Sequence, residues 1–600
     1  MVKPFSPALP APRVARKALP AAVPALRASL TLSLGLLLAS TAAHVSAQSA
    51  GSADASLSLA IEQLEVRIVN PSSDPAVNDR VVDEVRRKLD IYPGDSYSEE
   101  RLNFALSQAR RARDVAGLQL ERLPGSRGGL RVQIDVSLSD AAPGIEGRGM
   151  GPAGSAQQFP LLYDKAGTMV RAKLELFALY YANNNAWYGR PDLMLAGNPL
   201  VSGKPAGRGY DQWLEGYAHY GIYGITPLTS NAYLYGGLSA ITSGSVGQEL
   251  FTDDTRSHTG IEDAYAGVIF GRTDDQGDRL AVSLSAGRQR FTLANGFLFV
   301  NTAASGQDRA ALQANARWAA DKLVHARVRY GRNLIEAFYL DPDELPLVDS
   351  KTAYAGLNAE TTPVPGLTVG AAYINATRSD FRYFGPTGNV LGTRDGLKVY
   401  DLRASYAPGT PGSSGPFFGA EYAIQRHSQM SMRAEAGWVE AGYSWPRAQW
   451  SPTFSYRWAK FSGDNPNTSR YERWDPLLSG GTGEQWVQGA NHFKVVQDSN
   501  VLAHRFQARL KPSARVELVP QLWLFYADSS NNIGGNPALS NMPGKKYGTE
   551  ALLTAKWFYS RNVYVHGHLA YTWAGGPVRQ ALGGDARNWF STMLFVRYAF

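Results

Sequence analysis

The last seven residues, Leu594-Phe595-Val596-Arg597-Tyr598-Ala599-Phe600, alternate in polarity and close on an aromatic. In an extended chain Leu594, Val596, Tyr598 and Phe600 share one face, while Phe595, Arg597 and Ala599 share the other. A final strand with an aromatic-rich apolar face and a terminal Phe suits the wall of a bacterial outer-membrane β-barrel. A soluble edge strand reads the same way, so the rest of the chain has to decide.

The same alternation recurs from about Thr168 onward. Eighteen segments can be placed, near 168–181, 209–222, 231–242, 261–271, 279–289, 310–320, 322–332, 352–361, 366–377, 396–406, 416–426, 436–446, 451–461, 500–511, 515–527, 548–559, 561–573 and 588–600. Some connections are tight, at Ala320-Asp321, Pro365-Gly366, Lys511-Pro512-Ser513 and Ser560-Arg561; others, such as 182–208 and 462–499, are long and polar. Short turns at one end and long loops at the other predict an 18-stranded antiparallel transmembrane β-barrel over 168–600. An even count brings both barrel termini to one side. A propeller would show a fixed repeat, and none is found. A sandwich rarely needs over 400 residues (~100–200 is usual for a domain). The mean hydropathy of −0.25, with 30 Tyr, 23 Phe and 13 Trp, excludes a helical membrane protein but not a barrel. A barrel strand needs only one apolar face.

Residues 1–47 read as a secretory signal peptide. Arg13, Arg16, Lys17 and Arg27 form a basic region, Leu30 to Ser40 is apolar, and Val45-Ser46-Ala47 is a small-x-small cleavage site. The apolar run is too short to anchor the chain across a bilayer. The net charge of +8 is misleading, because five of the basic residues and no acid lie in this segment. The remainder is no nucleic-acid footprint. The absence of cysteine excludes a disulfide framework, thiolate metal sites and Cys nucleophiles.

Residues 57–140 have a different texture. Leu64, Val66 and Ile68 alternate; Val77, Val81, Val82, Val85 and Leu89 have helical spacing. Asp90-Ile91-Tyr92-Pro93-Gly94-Asp95 breaks that pattern. Ser98 is an N-cap candidate before Leu102, Ala105, Leu106 and Ala109. Val115 to Leu123 and Leu130 to Leu138 read as a hairpin. The order is β-α-α-β-β, a small α+β domain. The Tyr92-Pro93-Gly94-Asp95-x-x-Ser98 turn resembles a stretch of polypeptide-transport-associated (POTRA) domains, which implies a periplasmic module offering strand edges to a partner. Residues 141–167 read as a linker.

In several strands one face is apolar and the other charged. His325, Arg327 and Arg329 oppose Val324, Ala326, Val328 and Tyr330. Arg505, Gln507 and Arg509 oppose Leu502, Phe506, Ala508 and Leu510. Arg403 and Asp401 oppose Leu402 and Ala404, and Gln313, Asn315 and Arg317 oppose Leu312, Ala314 and Ala316. Lys173 shares a face with Glu175, and Lys556 with Glu550. Charge on the lipid face costs about 2–4 kcal/mol at the midplane, so these residues are predicted to line the lumen. Two readings follow for Arg317, Arg327, Arg329, Arg403, Arg505, Arg509, Lys173 and Lys556. They stiffen the barrel through ion pairs, or they form a net-positive path for an anionic solute. The two are compatible.

Four motifs occur in order: Gly287-Arg288-Gln289; Trp438-Val439-Glu440-Ala441-Gly442-Tyr443 followed by Phe461-Ser462-Gly463-Asp464; Arg473-Trp474-Asp475-Pro476-Leu477; and Tyr547-Gly548-Thr549-Glu550. Over roughly 210–600 they resemble the alginate-export barrels of Gram-negative outer membranes. The resemblance marks Arg288, Glu440, Asp464, Asp475 and Glu550 as motif positions. It implies a non-enzymatic channel in the outer membrane that passes an acidic polysaccharide or another small anionic solute. The implied surroundings are outer-membrane lipid, the barrel assembly machinery, and a periplasmic partner docking on 57–140. Trp474 stands where the family usually has Phe, and a POTRA-like module is not part of its usual layout. The strand phase of Arg288 puts it with Val282 and Leu284, unless a bulge near Gly287 turns it inward.

No G-x-S-x-G or H-E-x-x-H motif is present. His566 and His568 could hold a metal but read as an ordinary lumen pair; Asp341, Asp343 and Glu344 read as a solvated acidic turn. No cofactor is implied. Two other functions fit a barrel behind a POTRA-like domain. One is protein secretion or assembly, for which the nearest motif, Gly207-Arg208-Gly209-Tyr210, falls near the barrel's start. The other is a general uptake porin.

Overall fold

The computed structural model describes residues 61–599, apart from 90, 94, 96–101, 103–104, 107–108, 111, 113, 139–160, 191–208, 248–254, 274–278, 410–412, 480–488 and 561. The expected signal peptide, most of the expected linker and Phe600 lie outside the described residues.

The N-terminal module begins with β1 (Ile61–Ile68) and α1 (Pro75–Leu89), then β2 (Val115–Pro124) and β3 (Leu130–Leu138). Asp74 caps α1 by accepting from the Ala76 amide (2.9 Å), and Pro75 needs no donor partner at the first position. Val81, Val85 and Leu89 form its buried face. They meet Leu102, Leu106 and Ala109, which are helical and buried, over Val132, Ile134 and Val136. The sheet order is β1-β3-β2, with β1 parallel and β2 antiparallel to β3.

A barrel follows. Its strands are β5 (Thr168–Asn184), β6 (Tyr210–Pro227), β7 (Ala232–Gly247), β8 (Arg256–Thr273), β9 (Arg279–Arg290), β10 (Ala319–Tyr330), β11 (Asn333–Asp341), β12 (Ala353–Val364), β13 (Leu367–Arg378), β16 (Leu397–Tyr406), β17 (Gly415–His427), β18 (Ala434–Ser444), β19 (Thr453–Phe461), β20 (Val501–Ser513), β21 (Val516–Tyr526), β22 (Lys546–Trp557), β23 (Val563–Ala574) and β24 (Trp589–Ala599). These are eighteen antiparallel strands among the described residues, closed by β24 pairing with β5. A short β4 (Leu161–Lys165) folds back on β5, so the end of the expected linker is a strand. The hairpin β14 (Arg382–Phe384) and β15 (Val390–Thr393) belongs to a loop.

The count of eighteen agrees with the sequence reading, but through two offsetting differences. Residues 310–318 are not a strand. Ala310, Ala311 and Asn315 have positive φ, and the amides of Ala311 and Ala314 donate to Ser245 and Glu215 side chains instead of a neighbouring strand. The tight turn expected at Ala320-Asp321 is a bulge inside β10, opposite Gly287, whose φ is +130°. The missed strand is β11. Its outward Ile335 and Tyr339 are exposed, but its inward Leu334, Phe338 and Leu340 are buried too. Glu336 is the one charged residue on that inward face, so the alternation is too weak to show.

Outward side chains form the lipid band. Leu402, Ile335, Leu357, Leu284, Phe506 and Leu594 are exposed. Trp445, Trp557 and Tyr559 mark one rim, Tyr210, Tyr571 and Trp573 the other, as aromatic girdles do. The barrel's first and last strands have their chain ends on one side, with two-residue turns at 331–332, 365–366 and 514–515. The other end carries the long loops 291–318 and 462–500.

Candidate functional site

Strand phase places an ion-pair strip on the inner wall of β18–β22. Arg457 and Arg505 are directly opposed in the β19–β20 register, and both reach Glu440. Arg457 Nε donates to Glu440 Oε2 (2.9 Å) and Arg505 Nη2 to Glu440 Oε1 (2.6 Å). Beside them Arg509 donates to Glu517 (3.2 Å), and Lys556 Nζ lies 3.3 Å from the same carboxylate. Arg457 and Arg505 thus meet at Glu440, and Arg509 and Lys556 at Glu517. Trp438 supports the strip, with the Arg457 guanidinium 4.7 Å from its ring centroid. Facing like charges repel, so the shared Glu440 is what lets Arg457 and Arg505 sit opposite one another.

The other inward cations are arranged differently. Arg403 donates to Asp401 (2.8 Å), Glu360 (2.7 Å) and Asn358, so that stretch of wall is acid-rich. Arg327 lies 3.4 Å from Glu336, and both Arg327 and Arg329 reach Asp95 of the N-terminal module. Lys173 donates to the Tyr223 hydroxyl (3.3 Å). Its neighbour Glu175 accepts from Arg597 (2.8 Å) and Tyr217 (2.7 Å).

Arg317 is a loop residue. With Arg288 and Arg309 it converges on Asp343, at 3.3 Å for Arg317 and 2.9 Å for Arg309. The bulge opposite Gly287 lets Arg288 turn from its lipid-side phase to this loop carboxylate. Asp343 is therefore not a solvated turn residue. Burial works to raise its pKa, but Arg309, Arg288 and Arg317 together hold it below the ordinary aspartate range. Glu344 beside it accepts from the Ser350 hydroxyl (2.8 Å).

The remaining motif acids hold loops: Glu550 ties one to the wall, Asp475 joins two, and Asp464 braces one internally. Glu550, on β22, accepts from the backbone amides of Ala490 (2.5 Å) and His492 (2.9 Å) and from Thr572 (3.1 Å). Asp475 is held bidentately by Arg394 (2.7 and 2.9 Å) and accepts from Tyr383 (2.6 Å). Burial alone would lower the Arg394 pKa; the paired Asp475 outweighs it and holds the guanidinium firmly protonated. Asp464 accepts from the Glu472 amide (2.9 Å). The clasped loops fold inward. Phe297, Phe299, Leu312, Trp474, His492 and Phe493 are buried. The two long loops meet where the Val300 and Asn301 amides donate to Leu478 O (both 3.0 Å).

Sequence reasoning missed Arg457, Glu517, Arg309 and Arg394. Arg457 and Glu517 were readable: Arg457 alternates with outward Phe454, Tyr456 and Trp458. Arg309 and Arg394 lie in loops, where no period marks a face. His566 packs on Phe595 (4.8 Å) and accepts or donates at Tyr564 (3.1 Å); His568 lies edge-on to Tyr181. No group of three or more potential metal ligands occurs among the described residues.

A family model described as alginate export matches residues 240–591. Solved barrels align with low identity. Outer membrane protein OprD from Pseudomonas aeruginosa is 11% identical, covering 72% of this chain and 94% of its own, with a TM-score of 0.40. Pseudomonas aeruginosa OccK7 (OpdD) is 10% identical over 72% and 98%, with a TM-score of 0.42. Acinetobacter baumannii OccAB2 is 10% identical over 72% and 98%, with a TM-score of 0.40. No curated protein matches the chain in sequence.

Proposed function

Because the chain belongs to the alginate export family, we propose that this outer-membrane channel passes an acidic polysaccharide of the uronate class by passive movement, without catalysis. The observation that carries the reading is the β18–β22 strip, where the inward cations Arg457, Arg505, Arg509 and Lys556 cluster about Glu440 and Glu517. A wall with more cations than acids lowers the barrier for a polyanion, and guanidinium donors match a carboxylate's two oxygens. Transient, multi-site pairing suits a chain that must also leave. The short-turn end, with both barrel termini and the module, faces the periplasm in this reading. A periplasmic partner would meet residues 57–140 there, and the last strand with Phe600 would address the barrel assembly machinery.

The test is charge removal in the strip. Arg505→Gln with Arg509→Gln should lower the anion-to-cation permeability ratio in planar bilayers and weaken block by uronate oligomers. Raising salt should mimic part of this in the parent, since the Debye length is about 10 Å at 0.1 M. Unchanged selectivity and unchanged block in the variant would overturn the reading.

A further inference from the structure

The N-terminal module does not hang beside the barrel. It bridges the short-turn mouth from wall to wall. On one wall, Asp95 accepts from Arg329 Nη2 and from Arg327 Nη2 (3.3 Å), and the Arg329 guanidinium lies 4.5 Å from the Tyr92 ring centroid. On the other, Thr453 Oγ1 donates to Ser126 O (2.9 Å), Lys511 Nζ donates to Pro124 O (3.1 Å), and Arg515 pairs with Glu121. The β2–β3 turn presses on the basic strip: a Cβ at Gly128 would fall 2.3 Å from Arg509 Cζ. β10 and β20 stand eight strands apart one way round and ten the other, so the two contact sets are nearly opposite. One continuous cluster of buried apolar side chains contains both the module's core and inward barrel residues such as Phe558, Tyr564 and Phe595.

The two oxygens of Asp95 have separate tasks. Oδ2 accepts from the Tyr92 amide (3.0 Å) and fixes the turn; Oδ1 faces the two arginines. The turn is further tied to the sheet by the Ile61 amide, which donates to Asp95 O (2.8 Å). Asp95 is also buried, as are its two partners for the most part. One carboxylate set against two guanidiniums is the contact that a uronate would itself make. We propose that the module is a plug, latched shut by Asp95 in a two-arginine carboxylate site on β10, and that an acidic chain at the short-turn end opens it by competing for Arg327 and Arg329. The opening step rests on the acidic solute proposed above; the plug does not.

The chain has no cysteine, so Ser126→Cys with Thr453→Cys gives a single oxidisable pair across the module–barrel contact. In planar bilayers the oxidised full-length protein should lose its openings, and reduction should restore them. Asp95→Asn keeps an acceptor for the turn but removes the charge. It should raise open probability about tenfold, equivalent to about 1.4 kcal/mol. A uronate hexamer on the module side should open the parent, a neutral hexasaccharide should not, and Arg327→Gln with Arg329→Gln should abolish the response. An oxidised protein that conducts like the reduced one overturns the plug, whatever the uronate does. Equal opening by the neutral sugar overturns the carboxylate latch. If Asp95→Asn opens the channel while uronate neither opens the parent nor blocks the variant, the plug stands and the acidic-solute reading falls.

Discussion

Glu440 shows how a single side chain organises the inner wall. It accepts from both Arg457 and Arg505, whose backbones are paired face to face. Glu440→Gln leaves two guanidiniums opposed without a shared anion. Removing one partner of a buried charge set costs about 3–5 kcal/mol, and a wet lumen reduces that toward about 2 kcal/mol. The expected outcome is an earlier heat-modifiable transition on gels, together with a higher anion preference in bilayers; an unchanged transition would show that the strip does not brace the wall. At this scale the sequence was informative wherever a strand held the residue. Arg505 and Arg509 face inward because a guanidinium on the lipid face is costly while Phe506 and Ala508 are at home there, and a period of two settles which is which. Arg317 defeated the same logic because its segment has the alternation of a strand without the hydrogen bonds of one. Its true partners, Asp343 and Glu262, are 26 and 55 positions away, and no local pattern pairs them.

Among elements, the inward loops are where folding and local pattern part company. β11 carries apolar residues on both faces because Phe338 packs against Phe291 (4.8 Å) and Phe299 (5.8 Å) of the 291–318 loop. A strand that faces lipid on one side and a buried loop on the other, with Glu336 its one inward charge, offers little polar face to read. Two predictions belong here. Glu550→Gln weakens the clasp on the amides of residues 490–492, at about 1–3 kcal/mol for charge-assisted bonds. The expected result is faster proteolytic nicking within 485–500 in the assembled barrel; parent-like resistance would show that the loop is held elsewhere. The second concerns pH. Arginines hold Asp343 below its unfolded value, so its contribution is complete above about pH 4 and is lost as pH falls through the depressed folded value. Acid should therefore expose the 291–318 loop to an acid-active protease. Burial lifts the pKa of Glu344, which acts in the opposite sense, so the comparison is with Asp343→Asn. That variant should be exposed already at neutral pH, with a flatter acid response.

For the whole molecule, the barrel was legible from its two ends and its turn asymmetry, while the seating of the module was not. Nothing in the spacing of Tyr92 and Asp95 announces a partner 232 residues away. The module's core residues Val81, Val85, Leu106, Val132 and Ile134 all come from its own sheet and helices. Residues 57–140 expressed alone should therefore unfold in one cooperative thermal transition; a fragment with no transition would show that the mouth of the barrel supplies its stability. Deleting Phe600, or replacing it with a charged residue, should reduce the yield of heat-modifiable barrel in the outer membrane without altering that fragment. Normal assembly would count against a role for the terminal aromatic.

The seam between β24 and β5 decides the bore. A closed barrel's girth follows from its strand number and from the stagger at which the last strand meets the first. Here that meeting is in one register from Phe590 with Asn184 to Ala599 with Glu175. Slipping it by one residue would turn every inward side chain toward lipid. A slip of two would keep the faces but move Arg597 about 7 Å along the strand, out of reach of Glu175. The buried Arg597–Glu175 pair, at 2.8 Å, joins side chains 422 residues apart. An ion pair at the seam is thus a gauge: by fixing the stagger it fixes the diameter, and with it the girth of whatever chain can be threaded through.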